Sequence, residues 1–164
     1  MAITLREFRE GDAERLVEIA NNPVVSQYMV DRFPSPFTRD DADWWIRTGS
    51  RSGVTRVIEF GGVFVGSIRA EPGSGEKLNQ YEVGYFISEP YWGNGIATEA
   101  LTLFTDELFK TAGIERLQAW VYIENDASIR VLQKAGFTRE SESGSVLYKN
   151  GRLFEEYIYP CLRS

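Results

Sequence analysis

The stretch QYEVGYFISEPYWGNGIATEALTLF, residues 80 to 104, constrains the architecture of this chain more than any other. From Gln80 to Ser88, Tyr81, Val83, Tyr85 and Ile87 alternate with Glu82, Gly84 and Phe86, the two-residue period of a strand. From about 94 to 111, Ala97, Leu101, Phe104 and Leu108 recur on one face of a helix. IERLQAWVYI, ending at 123, is a strand again. Strand, helix and strand in that order predict a parallel, right-handed crossover.

The flanking segments predict antiparallel neighbours. ITLREFR (3–9) alternates like a half-buried strand, and Asp12 is placed to cap a helix through about Asn21, with Leu16, Ile19 and Ala20 on one face. NNPVVSQYMVDRFPSPF is broken by prolines, with a short helix expected at its centre. Thr38 and Asp41 have the spacing of a capping box, opening a helix that carries Trp44, Trp45 and Ile46. TRVIEF and VFVGSIRA around Gly61-Gly62 predict a hairpin, and EPGSGEKLN reads as a plain loop. NDASIRVLQKAGF predicts a short helix capped by Asn125 or Asp126 and closed by Gly136. SVLYKNGRLFEEYIYP predicts two strands across an Asn-Gly turn. The element order is β-α-α-β-β-β-α-β-α-β-β, an α+β arrangement expected to form one domain over 1–164.

Two scarcities narrow the chemistry. The chain has no histidine, so a Ser-His-Asp triad and a histidine-ligated metal are excluded. It has one cysteine, Cys161, which reads as a small half-buried thiol, with no group nearby in sequence to lower its pKa. A net charge of -6 argues against a nucleic-acid partner. The opening MAITLREFREGD is too charged for a signal peptide, and no apolar run reaches the ~20 residues of a membrane span, so a cytoplasmic protein without membrane contact is expected.

Between strand and helix in the crossover lies EPYWGNG. Unpaired N–H groups and the positive end of the helix dipole meet there, an arrangement that suits an anion. Gly93 and Gly95 leave the backbone bare, and Ala97 keeps the first turn slim. The alternative is a tight turn into a helix. No lysine follows as in a Walker loop, and the third glycine of a dinucleotide fingerprint is missing.

YWGNGIATEA, with YEVGYFI before it and NDASIRVLQKAGF after the next strand, resembles the acetyl-CoA-binding core of the GNAT N-acyltransferases, and more narrowly the RimJ/RimL-type branch. The resemblance covers nearly the whole chain. It implies a mostly antiparallel seven-stranded sheet with a splayed parallel pair, about four flanking helices, acetyl-CoA as cosubstrate and no metal. The family pattern Gln/Arg-x-x-Gly-x-Gly/Ala places Trp92 at its first position, Gly95 at its first glycine and Ala97 at its last. Trp92 departs from the pattern, which shifts phosphate binding onto the backbone N–H groups of Gly93, Asn94, Gly95, Ile96, Ala97 and Thr98. The resemblance further implies a pantetheine arm pairing with backbone near Ile87 and Ser88, an asparagine contact at Asn125, and Ser128 and Lys134 near the coenzyme.

The implied reaction is direct attack of an amine on the thioester. The family's recurrent strand glutamate corresponds to Glu82, read as the base or else as a solvent-facing side chain. The general-acid tyrosine found in many members corresponds to Leu132, leaving Ser128, or Tyr157 and Tyr159 on the last strand, for that role. The acceptor site is expected in the Tyr28–Phe37 segment, including Phe33, and at Trp44, facing Glu82, with Asp31, Glu59 and Glu155 adding negative charge; the alternative for the aromatics, favoured by their chemistry, is core packing. The branch implies a peptide N-terminus as acceptor. A small amine such as a polyamine or aminoglycoside, and a non-catalytic acyl-CoA-binding domain, are the alternatives, in a monomer or homodimer.

Overall fold

The computed structural model describes residues 2–27, 34, 36–111, 113–140, 145–149 and 151–163. In chain order the elements are β1 (Ile3–Arg6), α1 (Ala13–Ala20), α2 (Pro23–Ser26), α3 (Arg39–Arg47), β2 (Val54–Phe60), β3 (Val63–Pro72), β4 (Gln80–Ile87), α4 (Ile96–Phe109), β5 (Arg116–Tyr122), α5 (Asp126–Lys134), β6 (Ser145–Lys149) and β7 (Arg152–Leu162). The fold is mixed α+β, with β4 and β5 parallel, as the crossover requires. The described residues hold five α-helices rather than about four, because α2 is a separate turn. Chain contacts group into two compact units, Met1–Arg69 with Tyr85–Ile96, and Ala70–Gly84 with Ala97–Ser164. β3 and β4 each contribute to both.

In the first unit the strand order is β1-β2-β3-β4. β1 lies antiparallel to β2, from Ile3↔Phe60 to Arg6↔Val57. Gly61 and Gly62 both have positive φ, 58° and 83°, as the predicted two-residue hairpin turn demands. The buried core joins Phe8, Leu16, Ile19, Phe37, Ile46 and Phe64, with Trp45 packed against it. The Thr38–Asp41 box forms: Thr38 Oγ1 accepts from the Asp41 N–H at 3.2 Å, and Asp41 Oδ2 accepts from the Thr38 N–H at 2.8 Å. The short helix α2 starts at Pro23, near the front of its segment, because Asn22 caps it by accepting from the Val24 N–H at 3.0 Å.

Asp12 departs from expectation. It precedes α1 without capping it, and its carboxylate instead accepts from Arg6 Nη2 and Nη1 at 2.8 and 2.9 Å and from the Arg9 N–H at 2.9 Å. β1 correspondingly ends at Arg6 rather than Arg9, where the chain turns into a 3-10 turn at Glu10–Asp12.

In the second unit the order is β3-β4-β5-β7-β6. The end of β3 meets the start of β4, with the Gly73 N–H on Gln80 O at 2.8 Å. The segment read as a plain loop is more ordered: β3 runs to Pro72, and a 3-10 turn occupies Gly75–Lys77. β4 pairs with β5 only at Gln80↔Arg116, Tyr81↔Leu117 and Glu82↔Gln118, although both strands continue beyond that point. β5 and β7 pair antiparallel from Arg116↔Leu162 to Tyr122↔Glu156. Leu101, Phe104, Leu108, Ile114, Leu117, Leu132 and Phe137 are fully buried in this unit. Gly136, at φ 93°, closes α5 as predicted.

Burial by itself would raise the Asp12 carboxyl, but the hydrogen bonds from Arg6 and the Arg9 N–H outweigh it and hold the group below its ordinary value. A depressed folded pKa gives stability that is present above the unfolded value, ~3.9, and lost as pH falls through the folded one. Asp12→Asn is therefore expected to lower the unfolding free energy by about 1.5–3 kcal/mol at pH 7 and to flatten the acid limb of a denaturant-midpoint profile below about pH 4.

Candidate active site

The chain between β4 and α4 is built by short hydrogen bonds. The Tyr91 N–H donates to Ser88 O and the Trp92 N–H to Glu89 O, each at 3.0 Å, closing a 3-10 turn. Asn94 Nδ2 then donates back to Tyr91 O at 3.1 Å and Trp92 O at 3.2 Å. Gly93 and Gly95 lie at φ 80° and 72°, a region L side chains rarely adopt. A Cβ at either glycine would meet no protein atom within 4 Å. The glycines are thus demanded by backbone conformation, and open space lies over the loop.

α4 begins at Ile96, two residues later than expected, directly after a glycine that has no side chain to cap it. Ile96 is buried and anchors the turn, while Ala97 and Thr98 are half-buried. A fourteen-residue helix thus presents its first amides and the positive end of its dipole beside an open glycine loop. These residues fit a diphosphate.

At the end of β4, Ser88 is already engaged. Its N–H donates to Val65 O at 2.7 Å, its carbonyl accepts from Tyr91, and its buried Oγ faces Arg15 Nη2 at 3.4 Å. The Ile87 carbonyl accepts from the Trp92 indole Nε1–H at 2.7 Å. This contact was invisible in the sequence, where Trp92 registered only as a lost polar group.

In the second unit, Asn125 caps α5, its Oδ1 accepting from the Ser128 N–H at 3.2 Å. Asn125 and Ser128 therefore share one helix start. Lys134 is exposed in the last turn of α5, where a cation also suits the helix dipole. Leu132 is 1% exposed, an apolar core residue.

Strand register sorts the remaining candidates. Glu82 lies opposite Gln118, and Glu156 opposite Tyr122. Gln118 and Tyr122 are four residues apart on β5, so Glu82 and Glu156 project from the same sheet face. Tyr157, opposite Val121, projects from the other face, and Arg139 stacks 3.4 Å from its ring centroid. Tyr157, the fallback general acid, therefore does not share a sheet face with Glu82. Tyr159 is buried as core. Glu156 was missed, because EEY offers two adjacent glutamates and only the register chooses between faces. Its carboxyl is pushed up by burial first, and then by the like charge of Glu82.

Among the acceptor candidates, Tyr28, Asp31 and Phe33 lie outside the described residues. Glu59 is no bare charge: it pairs with Arg6 Nε at 2.9 Å and accepts from Thr4 Oγ1 at 3.3 Å. Trp44 is 59% exposed, while Trp45 is half-buried against the first unit's core. Glu155 is exposed on β7. Burial raises the Cys161 thiol, as its position suggested. Among the described residues no cluster of His, Cys, Asp or Glu could hold a metal, and no helix is long and apolar enough to cross a membrane.

The fold and the glycine loop define an acyl-transfer scaffold, and comparison with known proteins identifies it. The acetyltransferase (GNAT) domain family model matches residues 2–138, and the chain belongs to this family. It is 26% identical to YoaA, an uncharacterized N-acetyltransferase of Bacillus subtilis (strain 168), over 98% of this chain and 93% of that one. It is 24% identical to the spermidine N(1)-acetyltransferase of Escherichia coli (strain K12), over 98% of this chain and 86% of that one. Among solved structures, RimL, a ribosomal L7/L12 alpha-N-protein acetyltransferase in complex with coenzyme A, superposes with a TM-score of 0.84 at 17% identity, over 99% of this chain and 94% of that one. The protein is an acyltransferase that uses acetyl-CoA as cosubstrate.

Gly95→Asp puts both a strained side chain and a negative charge into the open loop. Saturating acetyl-CoA is expected to raise the melting temperature of the wild type and to leave this variant unshifted in a thermal-denaturation assay.

Proposed function

We propose that the chain, working as one domain over residues 1–164 in the cytoplasm, acetylates the α-amine of a peptide or protein N-terminus. The observation that carries this reading is the kind of base the site offers. Glu82 is solvent-exposed on β4, the chain has no histidine, and Tyr157 projects from the opposite face. An α-amine of pKa ~7.7–8.0 is already about 10–15% neutral at pH 7, whereas a lysine-like amine at ~10.4 is neutral at roughly one part in a few thousand. A weak, water-relayed base suffices for the first and not for the second. The fold likeness to RimL agrees with this acceptor.

In the proposed mechanism, the bare amides from Gly93 to Thr98 hold the diphosphate, and Ile87 and Asn125 orient the arm of the cosubstrate. The cosubstrate supplies a thioester: the amine nitrogen bonds to its carbonyl carbon, the C–S bond breaks, and sulfur leaves with the electron pair. A backbone N–H of β4 polarises the carbonyl oxygen. Glu82 takes the amine proton through water, and Ser128 stands as donor toward the leaving sulfur. With no histidine and a half-buried Cys161 thiol, transfer is direct, without an acyl-enzyme.

A second reading, acetylation of a polyamine, is favoured by the two glutamates on one face and by the spermidine acetyltransferase among the relatives. Thiol release measured across N-terminal peptides, spermidine and aminoglycosides distinguishes the readings: peptides are expected to turn over with the highest kcat/KM. Release with spermidine alone would transfer the assignment to polyamines, and release with none of them would place the acceptor outside these amine classes. Glu82→Gln is expected to lower kcat by about 10²-fold or more and to leave coenzyme affinity unchanged by calorimetry. A wild-type rate would remove Glu82 as base.

A further inference from the structure

We propose that the Trp92 indole is a placeholder on β4, holding the Ile87 carbonyl until an amide of the coenzyme's pantetheine arm displaces it, so that Trp92 tunes coenzyme affinity. The inference rests on the coenzyme reading above and goes beyond it by assigning Trp92 a competing role.

The direction of the Ile87 carbonyl follows from its neighbours. The Ser88 N–H donates to Val65 O on β3, and the Phe86 carbonyl comes so close to β3 that a Cβ on Gly66 would collide with it. The Phe86 carbonyl and the Ser88 N–H thus face β3, and strand alternation turns the backbone groups of Ile87 to the opposite edge. On that edge the ladder of β4 with β5 ends at Glu82. The carbonyl therefore lacks a strand partner, and the indole N–H supplies one at 2.7 Å.

The rest of Trp92 shows that this hydrogen bond is not a by-product of core packing. The side chain is 45% exposed, in contrast to the packed Trp45. It is followed by Gly93, at φ 80°, which lacks the Cβ that would restrict movement of the segment. An extended arm with secondary amides adds to a strand edge as a peptide strand does, through main-chain hydrogen bonds. Its N–H and the indole N–H are equivalent donors to one acceptor, so exchanging them is close to neutral. Removing the indole donor leaves the carbonyl to water in the free protein and removes the competitor.

Trp92→Phe keeps an aromatic ring and deletes the donor. Calorimetry is expected to show coenzyme A binding about two- to tenfold tighter in the variant, the range of one ordinary hydrogen bond. Binding of adenosine 3′,5′-bisphosphate, which has no pantetheine amides, is expected to be unchanged. Unchanged coenzyme A affinity, or equal tightening of both ligands, would overturn the proposal. A measurement on the wild type guards against a folding defect in the variant. The Trp92 indole N–H resonance is expected to move upfield and lose protection from exchange with saturating coenzyme A, but not with the bisphosphate. A resonance that stays in place with coenzyme A bound would overturn the placeholder alone. Wild-type protein that binds no coenzyme A would instead overturn the coenzyme reading itself.

Discussion

Beyond Glu82, β4 loses its parallel partner and its backbone groups must be satisfied in other ways. A buried N–H or C=O left unpaired costs about 1–3 kcal/mol, so this constraint shapes everything that follows along the chain. Ser88 uses both of its main-chain groups, one on Val65 and one on Tyr91, and the second starts the turn at Glu89–Tyr91. That turn carries Trp92 back to Ile87 and delivers Gly93 and Gly95 in left-handed conformations at the head of α4. The geometry of the glycine loop thus follows from these local hydrogen bonds at the end of β4.

Electrostatics divides the acidic side chains into two kinds. Asp12 and Glu59 are both bound to Arg6, and in that role they fasten the strand pair β1–β2 to the turn before α1. Glu82 and Glu156 share a sheet face in the other unit, where the charge of one opposes ionisation of the other. A cationic acceptor would relieve that repulsion.

Local signals were legible in the sequence and distant ones were not. The Gly61-Gly62 hairpin, the Thr38–Asp41 box and the Gly136 stop each depend on residues a few positions apart, and each formed. The glycine loop belongs with them, since its conformation is set by its own residues. Asp12 failed as a cap because Arg6, on the preceding strand, outcompeted the helix for its carboxylate. The relation between Glu82, Glu156 and Tyr157 needed the register of β7 against β5, and no alternation within one strand reveals it. Trp92 was the least legible residue. Nothing in the sequence around it shows that its N–H lies on the Ile87 carbonyl.

The state of Cys161 has a practical meaning for measuring this protein. Half-buried and held in the neutral thiol form by its surroundings, it is a poor nucleophile toward aromatic disulfide reagents. It is also the chain's single sulfhydryl. In a colorimetric readout the colour therefore reports liberated cofactor, with the polypeptide itself contributing a small and slow background.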